Sequence, residues 1–116
     1  MLCRGSSTLV VRHRRMRRVD LKRLLTDASR RRLDALRAQN YAALLALPNQ
    51  RSEAIHGTKA VVSTYRDALG KGRLRIVVRG VLPGWLGFAY VRVQGFTVDP
   101  EGNVVPLPKD ALRDFR

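Results

Sequence analysis

The segment Gly70-Lys71-Gly72-Arg73-Leu74-Arg75-Ile76-Val77-Val78-Arg79-Gly80-Val81 decides the fold. Gly-Lys-Gly is a hairpin signal, because tight turns between antiparallel strands need residues at positive φ and glycine enters that region freely. Behind it the side chains alternate with the period of a strand. Leu74, Ile76 and Val78 share one face, and Arg73, Arg75, Val77 and Arg79 share the other. The apolar face needs a cover, and the arginine face is expected to point to solvent.

Working outward from this strand, the pattern predicts an antiparallel meander. Lys59 to Arg66 is β-rich and pairs across the Gly70–Gly72 turn, and Glu53 to His56 reads as a shorter strand before it. Pro83-Gly84 is the next turn, and a long strand follows from Leu86 to Val98. Asp99-Pro100-Glu101-Gly102-Asn103 then turns the chain back into Val104 and Val105. Pro108 suits the first position of a short C-terminal helix, with Asp110 in its first turn.

The cover comes from the N-terminal side. Leu21, Leu24, Leu25 and Ala28 form a helical stripe that Leu33 and Leu36 resume after Arg30-Arg31-Arg32, predicting a helix from about 20 to 38. Asp20 is the expected N-cap, with Val19 and Leu24 as a hydrophobic staple. A short turn from Asn40 runs to Leu47, and Pro48 ends it. The fold class is therefore α+β: an N-terminal helix packed on a four- to five-stranded antiparallel meander, with a short C-terminal helix. This order of elements is similar to a cystatin-like or nuclear-transport-factor-like layout, in element order alone, and a shared layout transmits no function.

Residues 19–116 read as one domain, and residues 1–18 as a basic, disordered arm. Three alternatives for the arm stay open: a polyanion-binding tail, an organelle transit segment over residues 1–19, or a stretch upstream of a true start at Met16. The 116 residues carry 23 basic and nine acidic side chains, a formal charge of +14. Residues 1–32 alone carry a net +9. Such a field attracts polyanions over a Debye length of about 8–10 Å.

RNA or DNA phosphate is the first expected partner. The expected contacts are Arg12, Arg14, Arg15, Arg17 and Arg18 in the arm, Arg30, Arg31 and Arg32 on the helix, and Arg73, Arg75, Arg79 and Arg92 on the sheet. If Ala89, Val91 and Val93 are the core face of their strand, Tyr90 and Arg92 lie beside the arginine row and form a stacking platform for single strands. If the register flips, Phe88 and Tyr90 join the core instead. Which face of strand 59–66 is buried stays open in the same way, because Val61 and Val62 point opposite ways.

A second reading makes the chain a protein-interaction module or homodimer, using Trp85 in the apolar turn Val81–Phe88 or an open sheet edge, with the charge incidental. A third gathers His56, Tyr65 and Asp67 into a pocket. The titratable inventory otherwise points away from an enzyme. No nucleotide, nucleophile-elbow or zinc-protease motif is present, Glu53 and His56 are poorly spaced for a strand pair, and neither cofactor nor metal is expected. Cys3 has no partner in the chain, so an intramolecular disulfide is excluded and a cytoplasmic, reducing location is the simplest expectation. No apolar run reaches the length of a membrane span.

Overall fold

The computed structural model describes residues 17–84 and 88–116. Helix α1 (Arg18–Arg37) and a single turn, α2 (Tyr41–Leu45), precede strands β1 (Gln50–Ala54), β2 (Val61–Gly70), β3 (Arg73–Pro83), β4 (Ala89–Val98) and β5 (Val104–Pro106). A 3₁₀ helix, Lys109–Phe115, follows. The five strands form one antiparallel sheet in chain order, so the architecture is the expected α+β meander.

Helix α1 starts earlier than its sequence suggests. Arg17 takes the N-cap position with extended backbone and no side-chain cap, and Asp20 sits inside the first turn, where its charge favours the helix N-terminus. Val19 is 55% exposed and does not serve as a staple. The helix buries Leu25, Ser29, Leu33 and Leu36 against the sheet. Asn40 caps α2, its Oδ1 accepting from the Ala43 amide at 2.8 Å. Arg66 then ties the connection to β2: its Nε donates to the Leu47 carbonyl and its Nη2 to Asn49, each at 2.7 Å.

The first strand lies at Gln50–Ala54 rather than at 53–56, and His56 falls in the following turn. That turn is held by the Ile55 amide on the Ala60 carbonyl and by the Thr58 hydroxyl on the Ile55 carbonyl, with Gly57 at φ +80°. The Gly70–Gly72 turn is as predicted, with Gly70, Lys71 and Gly72 all at positive φ. Strand β4 begins at Ala89 among the described residues, and the expected start at Leu86 lies outside them. Pro108 precedes the 3₁₀ helix as its N-cap instead of opening it.

Register assigns the faces. Leu74, Ile76 and Val78 of β3 sit opposite Val98, Phe96 and Gln94 of β4, and this face meets α1. Val62 and Thr64 of β2 lie on the same side, paired with Gly80 and Val78, which settles the open face of that strand. The core there is Leu25, Leu33, Leu36, Leu44, Ile76, Val78 and Phe96, each buried side chain of this kind contributing about 1.5–3 kcal/mol. The opposite face is not simply solvated. Val77 and Val93 are covered by Leu112 of the 3₁₀ helix, with Tyr65, Leu107 and Phe115 around them.

Two constraints of this fold are testable. Helix α1 crosses the sheet directly over Gly80, where a β-carbon would lie 2.5 Å from Ser29 Oγ and 3.0 Å from Leu25 Cδ1. Gly80→Ala is expected to destabilise by about 1–3 kcal/mol through overpacking. Ser29→Ala, which removes a buried hydroxyl without a partner, should leave stability equal or raised. Urea unfolding of both variants checks this, and wild-type stability in Gly80→Ala would refute the close crossing.

In the β4–β5 turn, the Asn103 side chain and then its backbone amide hold the Asp99 carboxyl below its ordinary value of 3.8. A lowered folded-state pKa gives a contribution that is present above that range and is lost as pH falls through the folded value. Amide-exchange protection at Asn103 should therefore drop on acidification below the ordinary carboxylate range, and Asp99→Ala should remove that dependence.

Candidate anion-binding surfaces

The predicted arginines divide into engaged and free groups. Arg75 of β3 lies opposite Asp67 of β2, and its Nη2 and Nε donate to Asp67 Oδ2 at 2.7 and 3.1 Å. Its guanidinium also stands 5.1 Å from the Phe115 ring centroid. Arg32 pairs with Glu53 across the helix–β1 boundary, and Arg17 reaches Asp20 at 3.6 Å. These three already have anionic or aromatic partners within the fold. Arg12, Arg14 and Arg15 lie outside the described residues, as does Trp85; Phe88, close to Trp85 in sequence, is 75% exposed.

The stacking platform does not form. Tyr90 and Arg92 pair with Leu82 and Gly80, which places them on the α1 side of the sheet, away from Arg73, Arg75 and Arg79. The physical reason is the register flip. Val91 and Val93 lie beside Val81 and Arg79 on the second face, and the 3₁₀ helix covers Val93 there. Tyr90 packs against the main core, with Lys22 Nζ 5.1 Å from its ring centroid. Arg73 is exposed at the hairpin, whereas Arg79 is half-buried in a cleft of about 310 Å³ with Tyr65, Asp114, Phe115 and Arg116.

His56, Tyr65 and Asp67 do not converge. His56 is exposed in the β1–β2 turn, Tyr65 lies against Phe115 with ring centroids 5.4 Å apart, and Asp67 holds Arg75. Among the described residues no group of three or more His, Cys, Asp or Glu side chains could hold a metal, and no helix is long and apolar enough to cross a membrane.

Two cationic surfaces remain. The first is the outward side of α1, about 30 Å long. Arg23, Arg30, Arg31 and Arg37 are exposed on this side, together with Asp27 and Asp34, and none of the four arginines is in a salt bridge among the described residues. Arg18 instead donates to the Pro83 carbonyl at 3.4 Å, at the entry to the helix.

The second is a groove of about 430 Å³ along the outer edge of β4. Arg37, Arg92, Lys109 and Arg116 bring four cations to it, and no aspartate or glutamate lines it. Its apolar part is Leu33, Val91, Val93, Leu107 and Leu112. The sequence pointed to Arg92 but not to Arg37, Lys109 or Arg116. Three segments remote in the chain assemble this groove, and no local spacing announces it.

If Arg75 is held by the fold, Arg75→Met should cost about 1 kcal/mol or somewhat more, from the partly exposed ion pair and the lost cation–π contact. Arg73→Met, at the exposed start of the same strand, should cost almost nothing. Thermal melts of the two variants check the contrast, and equal melting points would contradict the structural role.

Comparison with protein families, with curated proteins and with solved structures finds no match to this chain, so its function is argued from its own geometry.

Proposed function

We propose that this is a non-catalytic binding protein whose partner is a polyanion, in the first place the phosphate backbone of single-stranded RNA or DNA. The observation that carries the reading is the set of four exposed arginines on the outer side of α1, Arg23, Arg30, Arg31 and Arg37, none in a salt bridge among the described residues. An internally neutralised arginine releases no counterion when phosphate arrives, whereas a free one does. Planar guanidinium groups also donate to phosphate oxygens in pairs, which suits Arg23, Arg30 and Arg31 on a rigid helix better than on a loose tail. The arm adds Arg12, Arg14 and Arg15 at the N-terminal side of the same helix.

This reading moves the contact surface from the sheet to the helix. Arg75 is spent on Asp67, and Arg92 lies on the opposite face from Arg79, so the sheet arginines do not act as one row. The backbone track runs along α1, with sequence preference small because no aromatic ring stands among those arginines to stack on a base.

The test is binding of a fluorescent mixed-sequence single-stranded RNA between about 50 and 200 mM salt. The full chain, a version starting at Met16, and the variant Arg23→Ala/Arg30→Ala/Arg31→Ala are compared. The full chain should show a log-affinity against log-salt slope of several units, and loss of three phosphate contacts should reduce it by about 2. Retention by the Met16 version assigns the contact to the folded domain. A slope near zero for the full chain would end the proposal.

A further inference from the structure

Strand β4 is paired with β3 along its whole length, from Ala89 opposite Pro83 to Val98 opposite Leu74. On its other side β5 reaches only Phe96, Thr97 and Val98. The Gly95 carbonyl accepts one further bond, from the Leu107 amide at 2.9 Å. Because main-chain direction alternates along a strand, Gly95 fixes the outward set: Val93, Val91 and Ala89 aim their N–H and C=O groups away from β3. Among the described residues no strand pairs with that edge, which runs for about 20 Å.

The same edge is the floor of the cationic groove. On its α1 side stand Arg37 and Arg92, and on its second-face side Lys109 and Arg116 with Val91, Val93 and Leu112. Two polar atoms next to the edge are buried without a partner, Arg92 Nε and Gln94 Oε1. Such atoms carry a desolvation cost until something bonds to them.

We propose that the β4 edge is a strand-addition site for an acidic, extended segment of another protein, one in which acidic side chains alternate with apolar ones. The backbone of such a segment continues the ladder at Ala89, Val91 and Val93. Its acidic side chains face Arg92 and Arg37, where a carboxylate takes the guanidinium donors. Its apolar side chains face the opposite way, toward Val91, Val93 and Leu112. This is strand addition with main-chain bonds for affinity and alternate side chains for choice of partner.

Each alternative occupant meets an obstacle. A second copy of the chain carries +14 and would set two cation-lined edges against each other. A nucleic-acid backbone supplies acceptors to Arg92, but it has no alternating N–H and C=O groups to continue the edge. A peptide has both.

The test uses two fluorescein-labelled heptapeptides of the same composition, glutamate alternating with valine in one and grouped in blocks in the other. Anisotropy titrations are run with the full chain, with Val91→Pro and with Arg92→Glu, which reverses the charge that the acidic side chains face. Proline at Val91 removes an outward N–H and sterically blocks the edge, while the β3 side keeps its bonds. The alternating peptide should bind about tenfold or more tightly than the block peptide, and Val91→Pro should weaken it by about tenfold, a loss of one or two hydrogen bonds. The charge-reversed variant covers the case in which Val91→Pro does not fold, and it too should lose the peptide. Binding of the single-stranded RNA by Val91→Pro should keep the salt slope of the full chain, which separates this site from the helix surface.

Equal affinity for the two peptides, no binding of either, or unchanged affinity in a folded Val91→Pro would overturn the proposal. So would unchanged affinity in the charge-reversed variant. RNA that displaces the peptide and is itself weakened by Arg92→Glu but not by Val91→Pro would make the groove a phosphate track and likewise overturn it.

Discussion

The contact between α1 and Gly80 is the constraint on which the arrangement depends. With no β-carbon on the sheet at that point, Ser29 and Leu25 descend close to the backbone of β3, and both are essentially inaccessible to solvent. A larger residue at position 80 would lift the helix. Leu33 and Leu36 would then leave the apolar side chains of β3 and β4, and the angle at which Arg37 overlooks the β4 edge would change. Helix position, core closure and the width of the groove therefore share one point of control. Interiors at native packing density transmit such a displacement instead of absorbing it.

Charge is distributed by the same economy of acids. Asp67, Glu53 and Asp20 are each placed against an arginine where the sheet or helix brings one near. What remains unpaired is concentrated on the outside of α1 and around the β4 edge. The surface is thus less uniform than its composition implies. The informative quantity is which cations lack a fixed carboxylate partner, because a cation with a fixed internal partner contributes little field beyond a few ångströms.

Much of the architecture is legible in the sequence, because the signals for it are local. The Gly70-Lys71-Gly72 turn, the alternation Leu74, Ile76, Val78 and the leucines of α1 each decide their element without help from distant residues. The faces of β4 are not legible in this way. Tyr90, Arg92, Gln94 and Phe96 alternate with Val91, Val93, Gly95 and Thr97, and either set passes for a core face until pairing with β3 fixes the register. Cover on the second face is also hidden, since Leu112 and Phe115 in a short 3₁₀ helix have no periodicity that names Val77 as their target. The candidate sites follow the same division. The arginines of α1 are visible as a run, whereas Arg37, Lys109 and Arg116 become neighbours only through tertiary structure, and the engagement of Arg75 depends on a cross-strand pairing.

Sheet order equal to chain order has a kinetic meaning. Each strand from β1 to β5 finds its neighbour in the segment just before it, so four successive hairpin-like closures build the sheet at small loop-entropy cost. The exception is α1, whose resting place on β3 is synthesised long after the helix itself. Until β3 emerges, the leucine stripe of α1 has nothing to cover. The passage from nascent chain to native protein accordingly has two non-local steps, the docking of Ser29 over Gly80 and that of Leu112 and Phe115 over Val77 and Tyr65. Strand pairing between chain neighbours keeps the loop-closure cost of the sheet low, so what remains of that cost falls on the two dockings that close its faces.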